Sequence, residues 1–186
     1  MFTKSVLAGI CIVIGTLIFL NVGGILGAFM FSIGLFTILQ FGFNLYTGKV
    51  AYITTKPKDI SNILIILIGN AIGCCLMFAF PTAAAAPIVA AKLAQSTITI
   101  LFKSILCGIL IYIAVEGFKA GNQLITLLAV PTFILCGAEH SIADICFIIA
   151  AQMFTWEILG FIILVAVGNA IGSILFHRLI DFSKKI

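Results

Sequence analysis

The chain has 186 residues, of which 63% are hydrophobic and only 9% are charged, with a formal net charge of +4. Because a soluble domain carries about a quarter charged residues, this composition excludes a soluble enzyme, a nucleic-acid-binding protein and a disordered tail. The mean hydropathy of +1.33 leaves an integral membrane protein, and the length allows about six spans of roughly 20 residues, predicting a single transmembrane domain over residues 1–186.

Apolar runs, taken in chain order, define six candidate spans separated by turn residues and charges. The second and fifth runs are too long for one straight span, and each contains polar residues near its middle or end. The first run follows Lys4 as a secretory signal would, but no convincing cleavage site follows it, so we expect a retained span. The six runs cover residues 5–21, 25–51, 60–80, 98–116, 124–151 and 158–180.

The distribution of positive charge predicts the orientation of these spans. With six spans, both termini lie on the same side of the membrane, and the opposite side holds Lys92 and Lys103 only. The positive-inside bias therefore predicts cytoplasmic termini in the cell membrane. The predicted cytoplasmic side carries Lys4, Lys56, Lys58, Lys119, Arg178, Lys184 and Lys185.

An internal repeat divides the chain into two halves. Residues 4–14 and 103–113 are identical at seven of eleven positions, with an offset of 99. The sequence GNAIG occurs at both 69–73 and 168–172, again with an offset of 99. Lys-Ser and Gly-Asn pairs are uncommon in membrane spans, so two matches at one offset predict a duplication, with repeat 1 at about 4–80 and repeat 2 at about 98–180.

Each half contains three spans, and an odd number forces the second half to enter the membrane from the opposite side. The predicted fold is therefore an all-α membrane protein with six transmembrane helices in a 3+3 inverted repeat. Polar segments 42–51 and 137–146 interrupt the two long runs at corresponding places, which predicts breaks in helices 2 and 5. Unwound backbone survives in hydrocarbon only where it lines a cavity, and helix N-termini favour anions. The breaks therefore predict a central site for a small polar or anionic solute.

Three motifs, LYTGK at 45–49, GAEHSIAD at 137–144 and the paired Gly-Asn, resemble the formate/nitrite transporter family. The resemblance runs from about Lys4 to Arg178. It implies a homopentamer of six-helix protomers with an aquaporin-like inverted repeat, each carrying its own anion pore in the lipid bilayer. Neither a cofactor nor a metal is expected, since the six cysteines lack zinc-ligand spacing.

The resemblance implies roles for ten residues. His140 corresponds to the central pore histidine, Thr47 to the threonine of the opposite break, and Lys92 to the vestibule lysine. The expected pore and substrate-binding residues are His140, Thr47, Lys92, Asn169, Asn70 and Glu139, and the expected hydrophobic constrictions are Phe31, Leu35, Leu45 and Phe133.

The chain departs from the family pattern at five positions. Asn44 stands where the family commonly has an acidic residue, and Lys49 and Gly108 stand where it has Asn. Ala138 replaces an aromatic residue, and Asp144 replaces Asn. An acidic side chain near the pore can alter the preference among anions, so these departures leave the substrate open.

The predicted chemistry depends on His140, because an ionisable side chain inside a span usually faces a cavity or a partner. A bare anion pays many kcal/mol to cross an apolar ring, whereas its neutral conjugate acid pays far less. His140 can donate or share a proton near neutral pH, and Lys92 can attract the anion. Each residue also has a purely structural alternative. His140 can be a neutral histidine packed between helices, and Lys92 a solvated loop lysine. Thr47 can cap a half-helix, and Glu139 can anchor the break through hydrogen bonds.

These observations predict a pH-dependent channel or facilitated transporter for small monovalent anions, with formate or nitrite first. Hydrosulfide or a short carboxylate such as acetate or lactate is an alternative within the same family. A second alternative is an aquaporin-like channel for neutral solutes, but its Asn-Pro-Ala caps are absent from the sequence. An enzyme is not expected, because Ser141 adjoins His140 without a third partner, and no other nucleophile–base pair is apparent.

Overall fold

The chain is built from α-helices in the computed structural model, which describes residues 1–185 and contains no β-strand among them. Short 3₁₀ segments at Val50–Tyr52 and Cys75–Ala79 extend the third and fourth helices. The helices of the first half are α1 (Phe2–Val22), α2 (Gly24–Gln40), α3 (Tyr46–Lys49) and α4 (Pro57–Cys74).

The connection between the two halves contains a helix that the sequence had not indicated. Residues Ala85–Leu93 form α5 within the connection that was predicted as a break between spans. The helices that follow are α6 (Thr97–Lys119), α7 (Gln123–Leu135), α8 (Ser141–Ala151) and α9 (Trp156–Ser183).

Four segments are long and apolar enough to cross a bilayer, with lengths of 21 to 28 residues. At 1.5 Å per residue, the shortest of them extends about 31 Å, which matches a hydrocarbon core of about 30 Å. The helices α2, α7 and α8 are apolar but shorter. The chain is therefore a multi-pass membrane protein. The four long segments are Phe2–Val22, Pro57–Ala79, Thr97–Lys119 and Trp156–Ser183.

The helices end and restart at corresponding places in the two halves. Gly42 follows the end of α2 and Gly137 follows the end of α7, both at φ +63°. Glycine adopts this left-handed conformation without the clash that a Cβ introduces. The chain therefore leaves each helix, crosses a few residues in extended form, and begins α3 at Tyr46 and α8 at Ser141.

Glycines allow the long helices to pack closely. Gly9 of α1 lies against Asn70 of α4, and Gly108 of α6 lies against Asn169 of α9; in both cases a Cβ would collide with the asparagine carbonyl oxygen. Small residues at such contacts are the usual means of close helix packing in membranes. Gly108, which stands in place of the family's Asn, therefore has a packing role.

The two halves also use equivalent helix contacts. In the first half α1 packs against α2 and α4, and in the second half α6 packs against α7 and α9. The contact between α2 and α7 joins the two halves. This arrangement brings the ends of the two interruptions, at Leu45 and at residues 138–140, into the interior of the bundle. Most of the buried polar side chains that line or support the candidate site come from these interruptions and from α4, α8 and α9.

Candidate functional site

Asn70, on α4, holds the first interruption in place. Its Oδ1 accepts a hydrogen bond from the Tyr46 N–H at 2.8 Å. Its Nδ2 donates to the carbonyl oxygens of Ser5 and Asn44, each at 2.8 Å. Because buried backbone groups in a membrane need partners, this amide satisfies two groups that the interruption would otherwise leave unpaired, and its third hydrogen bond ties the interruption to α1.

Asn169, on α9, does the same for the second interruption. Its Oδ1 accepts from the Ser141 N–H at 2.9 Å. Its Nδ2 donates to the carbonyl oxygens of Ser104 at 2.9 Å and Glu139 at 2.8 Å. The two asparagines expected at the pore are both fully buried, and their polar groups are engaged with backbone.

The two interruptions meet at His140 and Thr47. The Thr47 Oγ1 lies 3.0 Å from the His140 Nε2, and both side chains are almost completely buried. The His140 Nδ1 accepts a hydrogen bond from the Ala143 N–H at 3.2 Å, capping α8. An imidazole nitrogen that accepts a hydrogen bond carries no proton, so in a neutral ring the hydrogen-bond network assigns the proton to Nε2. Thr47 does not cap α3, whose first turn begins after Leu45 without a side-chain cap.

Apolar side chains surround this polar pair. The ring of Phe133 stacks on His140 with centroids 5.6 Å apart, and Phe31 meets Phe133 edge-on at 6.0 Å. Leu35 follows Phe31 by one turn of α2, and Leu45 precedes α3; both leucines are 2% exposed. The four expected constriction residues therefore all lie inside the bundle near the His140–Thr47 pair.

A cavity of about 440 Å³ lies on one side of the pair, and we name it the Lys92 cavity. It is formed between α5, the start of α6, the end of α7 and the beginning of α8. Its aromatic lining residues are Phe19, Phe31, Phe133 and Phe147. Its charged and polar lining residues are Lys92, Gln95, Lys103, Glu139, His140 and Asp144.

Lys92 forms ion pairs with two carboxylates in this cavity. Its ammonium contacts Glu139 and lies 2.9 Å from Asp144 Oδ1, while Gln95 Nε2 donates to Glu139 Oε1 at 2.8 Å. Burial lowers the pKa of Lys92, but the carboxylates of Asp144 and Glu139 outweigh burial and raise it above its ordinary value. Lys92 therefore remains a cation, and its charge is already compensated by the protein.

Sequence reasoning did not include Gln95, Lys103 and Asp144 among the site residues. Asp144 was noted only as a departure, although its position four residues after His140 puts both on one face of α8. A Cβ at Gly137 would lie 3.4 Å from the Lys103 Nζ, which places that ammonium beside the second interruption. For Gln95 the sequence contains no comparable signal, because its role depends on how α5 docks on α8.

A second cavity, of about 240 Å³, lies on the other side of the pair, and we name it the Lys49 cavity. Leu35 and Leu45 line its inner end, and Lys49 and Lys119 line it as cations. Lys119 donates to Glu116 Oε1 at 2.8 Å, whereas Lys49 forms no ion pair among residues 1–185. This cavity therefore contains a cation that the described part of the protein does not neutralise.

Only a thin barrier separates the two cavities. Phe31 lines the Lys92 cavity and Leu35 lines the Lys49 cavity, and one helical turn corresponds to about 5–6 Å along α2. Lys103 and Lys119 lie sixteen residues apart on α6, or about 24 Å. The cavities thus lie toward opposite ends of the bundle, with the apolar residues and the His140–Thr47 pair between them. Among residues 1–185, no cluster of His, Cys, Asp and Glu has a composition that could hold a metal ion.

The sequence and the fold of this chain are similar to those of known proteins. A model of the formate/nitrite transporter family matches residues 1–182. The fold is similar to a pentameric formate channel with formate bound, with a TM-score of 0.85 and 20% sequence identity over 99% of this chain and 96% of that one. It is also similar to an ion channel of the same family, with a TM-score of 0.86 and 19% identity over 98% and 89% of the two chains. Among curated proteins, none is significantly similar.

Proposed function

Since the chain belongs to the formate/nitrite transporter family, we propose that it is a pH-dependent channel or facilitated transporter for small monovalent anions, with formate or nitrite as the first candidates. The observation that carries this proposal is the position of the His140–Thr47 pair. It lies in an apolar barrier between two cavities that contain cations. A polar pair at that depth provides a hydrogen-bonding station for a solute that the flanking rings otherwise exclude.

The proposed architecture is a single transmembrane domain with six crossings in a 3+3 inverted repeat of aquaporin type. In it, α2 with α3 and α7 with α8 form the broken helices 2 and 5. The repeat at an offset of 99 supports this arrangement. So do the matching hydrogen bonds of Asn70 and Asn169 to the two interruptions. With the positive-inside bias, the termini and the Lys49 cavity face the cytoplasm, and the Lys92 cavity faces outward across the cell membrane.

In the proposed route, an anion enters the Lys92 cavity and passes the rings of Phe31 and Phe133. It then reaches the Nε2–H of His140 and the hydroxyl of Thr47, passes Leu35 and Leu45, and leaves through the Lys49 cavity. Asn70 and Asn169 support this route by holding the backbone of the interruptions, and Glu139, which lines the Lys92 cavity, holds the position of Lys92.

The energetics of this route explain the expected dependence on pH. Moving an unpaired charge into an apolar constriction costs many kcal/mol, whereas a neutral acid pays only for the loss of its hydrogen bonds to water. His140 lowers this cost by donating or sharing its Nε2 proton with the solute at the narrowest part. Weak acids are therefore expected to pass faster at a lower pH, where the neutral form is easier to generate.

The proposed assembly is a homopentamer in the lipid bilayer, in which every protomer carries its own route. The first structural relative is described as a pentameric channel, and the proposed route lies within one chain. Each copy can therefore conduct without contributing residues to its neighbour's site. A catalytic reaction is not part of the proposal.

The test uses purified protein in liposomes, with uptake of formate, nitrite, hydrosulfide, acetate and glycerol followed across a pH series. Protein-free liposomes correct for passive diffusion of the neutral acids. Uptake of formate or nitrite that rises as the pH falls supports the proposal, and a preference for hydrosulfide or acetate reassigns the substrate within the same mechanism. Glycerol uptake without anion uptake would contradict it and favour a channel for neutral solutes.

A further inference from the structure

Asp144 contains a buried carboxylate oxygen without a partner. The residue lies in the first turn of α8, lines the Lys92 cavity and is 1% exposed. Its Oδ1 pairs with the Lys92 ammonium at 2.9 Å. Its Oδ2 has no hydrogen-bond partner among residues 1–185. A buried, unpaired carboxylate oxygen is costly, so this atom calls for an explanation.

The charges around Lys92 do not balance when every group is ionised. Among the groups in ion-pair contact, one ammonium faces two carboxylates, Glu139 and Asp144. Lys103 lines the same cavity but forms no ion pair with either carboxylate among residues 1–185. Glu139 also accepts a hydrogen bond from Gln95, whereas Asp144 receives no further donor from the described residues. The uncompensated negative charge therefore falls on Asp144, in an interior where such a charge is expensive. A proton on Oδ2 removes this charge and leaves the ion pair with Lys92 intact.

Other charged and titratable groups near Asp144 come from three elements. Lys92 lies on α5, Glu139 and His140 precede α8, and Lys103 and Cys107 lie on α6. The helices α1, α4 and α9 also pack on α8, but none of the ion pairs among residues 1–185 joins them to Asp144. Asp144 is thus the acidic group whose charge the cavity compensates least.

His140 is poorly suited to carry a second proton. Its Nδ1 accepts the Ala143 N–H that caps α8, and its Nε2 proton points to Thr47. An imidazolium carries protons on both nitrogens, so forming one breaks the cap at the start of α8. The imidazole can donate a hydrogen bond, but a proton that leaves with the solute needs another source.

We propose that Asp144 is the proton-carrying residue of the Lys92 cavity, which protonates the anion before it enters the apolar barrier. The inference rests on the proposed anion transport. The O–H bond on Asp144 Oδ2 breaks, and an O–H bond forms on the anion, for example on a formate oxygen. The solute continues as the neutral acid, and Asp144 remains as a carboxylate paired with Lys92. Water at the cavity mouth then delivers a proton from outside and restores the Asp144 acid.

The decisive variant is Asp144→Asn, which preserves volume and the oxygen that faces Lys92 but cannot carry a proton. In proteoliposomes containing the full-length protein, we expect the maximal rate of formate uptake to fall by about 100-fold, the lower end of what a positioned proton donor contributes. The KM should not rise, because Lys92 loses one competing carboxylate. Asp144→Glu should restore much of the rate. The matched control is Asp59→Asn, at a half-buried carboxylate in the first turn of α4 that lines neither cavity, which should behave as wild type.

If Asp144 only neutralised Lys92, the Asp144→Asn substitution would change anion uptake in the opposite direction. If the carboxylate only neutralises Lys92, its removal strengthens anion capture and uptake rises. Uptake by Asp144→Asn at or above the wild-type rate, with the wild-type pH profile, therefore overturns the inference and leaves the proposed anion transport standing. Wild-type protein that takes up none of the tested anions at any pH refutes the proposed function itself, and the inference falls with it.

A spectroscopic readout tests the proton on Asp144 without any transport. Infrared difference spectra of the wild-type protein between high and low pH should contain a buried protonated carboxyl band. That band should disappear in Asp144→Asn and remain in Asp59→Asn. A spectrum in which Asp144→Asn and wild type have the same carboxyl bands contradicts the inference, whatever the flux.

Discussion

Replacing Asn169 by alanine removes one side chain that serves three backbone groups. The Ser141 N–H and the Glu139 carbonyl oxygen lose their partner, at 2.9 and 2.8 Å in the native protein. The Ser104 carbonyl oxygen lies within α6 and keeps its helical hydrogen bond, but it loses a second one at 2.9 Å. A hydrogen bond between membrane helices contributes about 0.6 kcal/mol on average, so three contribute at least about 2 kcal/mol. A buried group left unpaired costs about 1–3 kcal/mol, so the two groups left without a partner set an upper estimate of about 6 kcal/mol.

The assay is reversible unfolding of the purified protein in detergent, followed by circular dichroism. Asn70→Ala should cost a similar amount, since Asn70 makes the equivalent three hydrogen bonds at the first interruption. The matched control is Asn21→Ala, which removes one hydrogen bond to the Leu17 carbonyl at an exposed position. Its free energy of unfolding should remain within about 0.5 kcal/mol of wild type.

Transport should respond together with stability. Without Asn169, the segment before α8 is free to move, and His140 at its end moves with it. We therefore expect anion uptake by Asn169→Ala to fall even under conditions where the protein remains folded. An Asn169→Ala protein that unfolds within about 0.5 kcal/mol of wild type and transports normally would refute the view that this amide holds the interruption.

Three further substitutions test other contacts. Gly108→Ala should cost about 1–3 kcal/mol of stability through overpacking against the main-chain carbonyl oxygen of Asn169. The control Gly160→Ala should not destabilise, because a Cβ there meets nothing within 4 Å. Equal stabilities of the two variants would argue against close packing at Gly108. His140→Asn can still cap α8 but loses the ring Nε2–H, so formate uptake in liposomes by the folded variant should slow about 10- to 100-fold, as for a lost hydrogen bond to a charged group. Unaltered uptake would remove His140 from the route. Lys92→Met leaves two buried carboxylates without their cation and should destabilise by about 3–5 kcal/mol; an unfolding curve that overlays wild type would show that the ion pairs contribute little.

Much of the helical organisation is predictable from the sequence, because the bilayer imposes local rules. A span needs about 20 consecutive apolar residues, and an interruption needs polar residues and glycine, so both leave a pattern along the chain. The apolar run at 25–51 and the polar segment at 42–51 inside it predicted a break just after α2, which ends at Gln40, but the same segment contains α3, whose start was not predicted. The helix α5 contains alanines and a proline and is only nine residues long. It shows neither a span-length apolar run nor a polar interruption, so the sequence did not predict it.

The candidate site is predictable only in part. Motifs indicated His140, Thr47 and the two asparagines, and the structure brings His140 next to Thr47 across 93 residues of sequence. The motifs did not reveal that both asparagines use their polar groups on backbone, or that Lys92 is engaged by Glu139 and Asp144. Hydrogen-bond partners of this kind depend on the distances between side chains from different helices.

The sequence by itself therefore determined that this is a multi-pass helical membrane protein of a recognisable family, and it predicted polar interruptions at corresponding positions of two repeats. These properties follow from hydropathy and residue type, which a one-dimensional pattern records. Only the tertiary structure decided which charged groups meet in the Lys92 cavity. The docking of α5 on α8 sets the distances among one ammonium and two carboxylates, and electrostatic energy depends on those distances and on the burial around them.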